Sequence, residues 1–238
     1  MKISLALIVT PTKEESKRLD KALTSVEGLF DEIVITQAGP HPNEDVSRVI
    51  KKHGGKDTFF TWISDFAAAR QYNFDQCTGD WIFWMDADDL IRGGDKLREK
   101  LELADAKGYT GVSVLYHYSH DKRGRVEDSH WKLQAVKNGY YEWRGKIHEN
   151  LALVKEGSNI QTNDVIRVHT ANKKDAESSL VRNLEILEDS IKSDPDEPRN
   201  YFYAARCYLG TEQWDEVIDV VETYLTLSNW KEERSVRS

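Results

Sequence analysis

The chain has 238 residues, 39% hydrophobic and 31% charged, with a formal charge of −8 from 33 basic and 41 acidic side chains. That length can bury the core of one large domain or of a domain with an appendage, and without an extended Lys/Arg block nothing advertises a nucleic-acid-binding face, although a local basic groove is not excluded. Cys77 and Cys207 lie far apart, so they supply no disulfide framework and suit a reducing, cytoplasmic setting, and no apolar run approaches the ~18 residues of a membrane helix.

Ile3 to Val9 is apolar but short, has no cleavage site and leads straight into Thr10-Pro11-Thr12, so it reads as a first strand rather than a signal peptide. Residues 14–26 carry Leu19, Ala22, Leu23 and Val26 at helical spacing. Residues 31–36 read as strand two, followed by the turn residues Gly39, Pro40 and Pro42, and 46–52 as a short helix closed by Gly54-Gly55. Strand three is expected at 58–63, a helix at 66–76, strand four at 81–85 and a longer helix at 96–107. Strands alternating with helices over short connections predict an α/β fold with a mostly parallel sheet, whose ligands sit beyond the carboxyl ends of the strands. From residue 110 the pattern becomes strand-rich and aromatic, with strands expected at 110–118, 129–136, 140–143 and 165–168 and turns at Lys122-Arg123-Gly124 and Asn138-Gly139.

Residues 173–238 read as helical. Leu180, Leu184, Leu187 and Ile191 share one face before Asp194-Pro195, Tyr201, Ala204, Ala205 and Tyr208 line a second helix, and Trp214, Val217, Ile218, Val221 and Leu225 a third. This is the pattern of one tetratricopeptide unit of about 34 residues, or equally of a plain helical hairpin docked on the first domain. Trp230 to Ser238 reads as the start of another helix. The expected division is a catalytic domain over 1–172 and a helical region over 173–238.

Strand four ends in Asp86-Ala87-Asp88-Asp89. Unpaired carboxylates cost several kcal/mol each to bury, so this cluster belongs at an exposed strand end, facing a cation. Asp86 and Asp88, two apart on extended chain, point to one side, as a hard cation that also binds phosphate oxygens requires. The plain alternative is a solvated acidic turn. An EF-hand loop fails because Leu90, Ile91 and Leu97 stand where an oxygen ligand, glycine and glutamate are needed, and Gly55-Lys56-Asp57 does not complete a phosphate-binding loop.

In this order the motifs resemble the inverting family 2 glycosyltransferases of GT-A fold, in the subgroup with tetratricopeptide-like helices. They are Ile8-Val9-Thr10-Pro11-Thr12-Lys13-Glu14-Glu15, Asp31-Glu32-Ile33-Val34-Ile35, Trp62-Ile63-Ser64-Asp65-Phe66-Ala67-Ala68-Ala69-Arg70, Thr78-Gly79-Asp80-Trp81 running into the acidic cluster, and Trp143-Arg144-Gly145-Lys146-Ile147-His148-Glu149. The resemblance implies a Rossmann-like GT-A domain and a nucleotide-sugar donor, a UDP-sugar first. It implies that Thr10, Pro11, Thr12, Glu14 and Asp65 hold the nucleoside, that Arg70 approaches the base or phosphates, and that Asp86, Ala87 and Asp88 bring Mn²⁺ or Mg²⁺ to the diphosphate. Gln37 stands where the family usually has an aspartate that helps read uracil, Glu14 replaces its usual asparagine, and Gln71 replaces the asparagine after Ala-Arg. An amide offers donors as well as an acceptor, so Gln37 leaves the nucleotide open.

Glu149, with His148 beside it, lies where related enzymes keep an acidic base, and inverting transfer needs a carboxylate to take the acceptor's proton; a surface pair is the alternative. His169 is a candidate third metal ligand, since imidazole suits Mn²⁺-type sites, against a core or capping histidine. Two other readings remain, a scaffold in which a silent sugar-nucleotide domain presents the helices to a partner, and a sugar nucleotidylyltransferase, which usually needs a glycine-rich basic loop that Lys13-Glu14-Glu15 does not supply. The acceptor, whether saccharide, peptide or modified base, is left open, and the C-terminal helices are expected to serve acceptor binding or association rather than chemistry.

Overall fold

In the computed structural model, which describes residues 1–170 and 173–227, the chain forms two compact units. The helix expected at Trp230 to Ser238 lies outside the described residues. Unit one comprises Met1–Ile63, Ala67–Arg144 and Asn150–Thr170, while Ser64–Phe66 and Gly145–Glu149 group instead with the C-terminal helices.

Unit one is built on an eight-stranded, mostly parallel sheet in the order β3-β2-β1-β4-β7-β6-β10-β5. Its first half is β1 (Ile3–Val9), β2 (Glu32–Gly39), β3 (Lys56–Thr61) and β4 (Trp81–Trp84), all parallel. Antiparallel pairing begins at β7 (Val126–Lys137), which joins β4 to β6 (Gly111–His120), and β10 (Asn159–His169) runs parallel to β6. The outermost strand, β5 (Asp89–Arg92), was not expected from the sequence and pairs antiparallel with β10. β8 (Tyr141–Arg144) and β9 (Asn150–Leu153) form a separate hairpin.

Strand alternation explains the continuous apolar runs. Ile3, Leu5, Leu7, Trp81 and Phe83 enter one core with α1 (Lys13–Ser25), α2 (Glu44–Lys52) and α4 (Leu97–Ala106), whereas Ala6, Val34, Ile82 and Trp84 enter a second with Phe74 of α3 (Phe66–Asp75) and Trp143. A sheet covered on both faces is apolar at nearly every position, and its buried polar exceptions, such as Gln37, must find partners within the fold. The helices start where side chains satisfy their first amides: Thr12 accepts from Glu15 N at 3.2 Å, and Asn43 accepts from Asp45 N and Val46 N.

In the second unit, α5 (Lys173–Ser193), α6 (Pro198–Gly210) and α7 (Trp214–Thr226) follow one another, with Tyr201, Phe202 and Tyr224 in their core. Glu197 caps α6 by accepting from Arg199 N, and Pro198 occupies its first turn, where a missing N–H costs nothing. No helix of the described residues is long and apolar enough to cross a membrane.

Candidate active site

The acidic cluster follows β4 and turns directly into β5. Asp89 N donates to Asp86 O at 3.1 Å and Asp86 N donates back to Asp89 Oδ2 at 3.1 Å, which closes the turn. Register then places His169, the last residue of β10, opposite Asp89, the first of β5. Gly93 permits this edge: its φ is +69°, and a Cβ there would meet Asp164 O at 2.0 Å. A register shift in β10 between Thr162 and Ile166 sets Arg167 beside Tyr116 of β6.

Two groups of charges result. The first is Asp86, which Arg70 Nη2 and Arg167 Nη2 reach at 2.7 and 2.5 Å. Burial alone would raise the Asp86 pKa, but the two guanidinium groups hold it well below the usual carboxylate range. Arg70 lies between the rings of Trp84 (4.9 Å) and Trp143 (5.1 Å), and Arg167 between Trp84 (4.6 Å) and Tyr116 (4.4 Å). Arg167 is fully buried and also donates Nε to Asp89 Oδ2 at 2.7 Å and Nη1 to Gln134 Oε1 at 3.2 Å.

The second group is Asp88, Asp89 and His169, each offering a donor atom within 4.8 Å of the others. Asp89, wholly buried, accepts from Arg167, from Tyr116 Oη at 3.0 Å and from Asp86 N, so it has little lone-pair capacity left and chiefly orients its neighbours. His169 Nδ1 lies 3.3 Å from Asp89 Oδ1 and 3.8 Å from Asp88 Oδ1. Burial opposes the imidazolium, but the Asp89 hydrogen bond and both carboxylate charges outweigh it, so the His169 pKa is raised. Asp88 is held by its backbone, whose carbonyl accepts from Thr170 N at 2.8 Å and Oγ1 at 2.6 Å. Burial, then the charges of Asp86 and Asp89, push its carboxyl up to about 6. This concentration of negative charge, eased by His169 and Arg167, is an arrangement that a divalent cation would relieve.

Among the residues singled out from sequence, the structure therefore gathers Arg70, Asp86, Asp88 and His169, with Ala87 buried between the two acids. Asp86 is engaged by arginines, and the acid that joins Asp88 and His169 is Asp89. Arg167 was missed, although an arginine inside the apolar run Val165-Ile166-Arg167-Val168-His169 signals a buried partner, because its charge cannot enter a sheet unpaired. Thr10 and Thr12 are bound to each other (Thr12 N to Thr10 O, 2.8 Å), Pro11 packs against Gly39, and Glu14 is exposed in the first turn of α1.

Gln37, expected at the base, is wholly buried within the fold. Its Nε2 donates to Ser47 Oγ at 2.9 Å and Asp57 Oδ1 at 3.0 Å, and its Oε1 accepts from Asn43 N at 2.8 Å. The amide is spent on holding the start of α2 to β3. Asp65, His148 and Glu149 belong to the second unit. Cys77 is buried and its thiol is pushed up to about 12, first by burial and then by the Glu32 charge, which excludes it as a neutral-pH nucleophile.

A family model described as Glycosyl transferase family 2 matches residues 7–168. The SPbeta prophage-derived glycosyltransferase SunS of Bacillus subtilis is 23% identical over 234 residues, covering 91% of this chain and 52% of that protein, so the chain spans about half the length of this curated relative. S. aureus TarS superposes with a TM-score of 0.53 at 11% identity, covering 99% of this chain and 50% of TarS. The mannosyltransferase PcManGT of Pyrobaculum calidifontis, solved with GDP-Man and Mn²⁺, gives 0.51 at 11% identity over 99% of this chain and 82% of its own. These likenesses are of fold, and they are of the GT-A type.

Proposed function

Because the chain belongs to glycosyl transferase family 2, we propose that it transfers a sugar from a nucleotide-diphosphate sugar to an acceptor with inversion, using Mn²⁺ or Mg²⁺. The observation that carries this reading is the convergence of Asp88, Asp89 and His169 at the turn between β4 and β5. The Asp88 carboxylate with an imidazole fits Mn²⁺, and carboxylate oxygen also suits Mg²⁺. Asp88 and His169 would hold the metal, with Asp89 orienting the imidazole. When bound, the metal neutralises charge on the diphosphate as the glycosidic bond breaks.

The chain's own groups supply the rest. Arg70, fixed by Asp86 and by two tryptophan rings, presents a preorganised guanidinium for phosphate or base, and Arg167 keeps Asp86 ionised and holds both Asp86 and Asp89 in place. The loop Thr10-Pro11-Thr12 with Glu14, and Asp65, hold the nucleoside. Glu149 takes the acceptor's proton as the nucleophile attacks opposite the leaving nucleotide, with His148 beside it. Gln37 supports this site from within the fold and does not contact the base.

A UDP-sugar is the first donor to try, since TarS has been solved with UDP-GlcNAc, and GDP-mannose is the second, from PcManGT. The test is a thermal-shift panel of UDP-GlcNAc, UDP-glucose and GDP-mannose with and without Mn²⁺. Ligand at a hundredfold excess over Kd stabilises by ~2.7 kcal/mol, so one donor should raise Tm only when Mn²⁺ is present. No shift with any donor, and no nucleotide release on long incubation, would favour the scaffold reading.

A further inference from the structure

The segment Gly145–Glu149 links β8 to β9, yet it belongs to the same compact unit as α5–α7. Its anchors there are specific. Lys146 Nζ pairs with Asp189 of α5 at 2.8 Å, and Lys146 O accepts from Phe66 N at 2.8 Å. Arg182 of α5 lies 5.1 Å over the Phe66 ring. The His148 ring lies flat on Tyr203 of α6, centroids 3.7 Å apart and planes 15° from parallel, and His148 O accepts from Arg199 Nη2 at 3.1 Å. Arg199 is itself fixed, donating to Tyr203 Oη at 3.3 Å with its guanidinium 5.0 Å over the same ring.

His148 has a φ of +50°, and among the described residues only Ser64 and Glu212 are other non-glycines with positive φ. A residue with a Cβ occupies that region at a cost of about 1–2 kcal/mol and keeps it only where its surroundings over-determine it. Here a ring stack and a carbonyl hydrogen bond, both from α6, do so. Since His148 precedes Glu149, its backbone torsions set the direction in which the Glu149 side chain leaves the chain. The Glu149 charge also acts on Arg182, whose pKa burial lowers and that carboxylate only partly offsets.

We infer that Tyr203 and Arg199 of α6 are positioning residues, which hold His148 in its left-handed backbone and so aim the Glu149 carboxylate. This rests on Glu149 being the base. It gives α6 a part in orienting Glu149, beyond the acceptor-binding or association role that the sequence suggests for the helices.

The experiment uses the full chain with UDP-GlcNAc and Mn²⁺, water taking the acceptor's place, and compares Tyr203→Leu, Tyr203→Phe, Arg199→Met, Glu149→Gln and the Tyr203→Leu/Glu149→Gln double variant. Tyr203→Leu should lower kcat about 10- to 100-fold with KM within about twofold, and Tyr203→Phe, which keeps the ring, should recover most of the rate. In the Glu149→Gln background Tyr203→Leu should cost nothing further, because it acts through that carboxylate. Hydrogen exchange at Gly145–Glu149 should rise in Tyr203→Leu and Arg199→Met whether or not UDP-GlcNAc is turned over. If Tyr203→Leu melts early, Arg199→Met, which removes one hydrogen bond and a ring contact, should show the same kcat-only loss. Unchanged exchange, or wild-type turnover in Tyr203→Leu while Glu149→Gln is slow, overturns the positioning role and leaves the base standing. Wild-type turnover in Glu149→Gln overturns the base itself.

Discussion

Replacing Asp88 with asparagine should make the metal-free protein more stable at neutral pH while removing its response to metal. In the folded chain the Asp88 carboxyl is raised from an ordinary 3.8 to about 6, by burial and by the charges of Asp86 and Asp89. A raised carboxyl pKa means that the protonated form favours the fold, so its contribution is complete below the unfolded value and is lost as pH rises through about 6. At ~1.4 kcal/mol per pH unit the rise corresponds to an upper figure of about 3 kcal/mol. The side chain is 25% exposed and is partly compensated by His169, so a gain on the order of 1–2 kcal/mol is the figure to expect of Asp88→Asn at pH 7.5. In a chain of this size that is a Tm higher by about 2–8 °C. Calorimetric melts in EDTA at pH 7.5 and 4.5 test the sign, since the advantage should shrink at the lower pH as wild-type Asp88 takes up its proton. Melts in Mn²⁺ test the function: wild type should gain and the variant should not. A variant less stable than wild type in EDTA at pH 7.5, or one that keeps the Mn²⁺ shift, refutes the argument.

The remaining expectations concern neighbouring groups. Arg167→Met leaves Asp86 with one guanidinium and Asp89 with none, so unfolding in urea should show a loss of ~3–5 kcal/mol, and Arg167→Lys, which cannot reproduce the fork, should recover less than half. Gln37→Leu should lower stability by ~1–3 kcal/mol, since Asn43 N and Asp57 lose a buried partner, while donor affinity of the folded protein stays unchanged; a donor-specific loss would return Gln37 to the base. Mn²⁺ affinity, followed by titration calorimetry, should fall by up to about a hundredfold per pH unit below 6, because Asp88 must shed its proton and His169 its own for a metal to bind. A pH-independent Kd would place the metal elsewhere.

Much of unit one is legible in the sequence because both its periodicities are strong. The runs Ile3–Val9 and Trp81–Trp84 are apolar apart from Ser4, since each strand feeds two cores. What escaped depends on pairing across distance. β5 is four residues long and begins with an acid, so Leu90 and Ile91 look like the tail of a turn until β10 pairs with them. For the same reason Asp89 reads as one more solvated carboxylate, when it is the buried member that binds Arg167, Tyr116 and His169. Gln37 is assigned to the nucleotide only by the resemblance, which has an aspartate there; Ser47 and Asp57, which occupy it, lie ten and twenty residues downstream. Nothing local shows that Gly145–Glu149 packs with helices beginning more than twenty residues later.

The central claim is that Asp88 and His169 hold a divalent cation against the diphosphate of a nucleotide sugar. Pulsed electron paramagnetic resonance of the Mn²⁺-loaded protein with UDP-GlcNAc reads both contacts at once. The account predicts a nitrogen coupling from one histidine, abolished in His169→Ala, together with a phosphorus coupling that appears only when UDP-GlcNAc is added. Bound Mn²⁺ showing phosphorus but no histidine nitrogen, or a nitrogen coupling that survives His169→Ala, would contradict it.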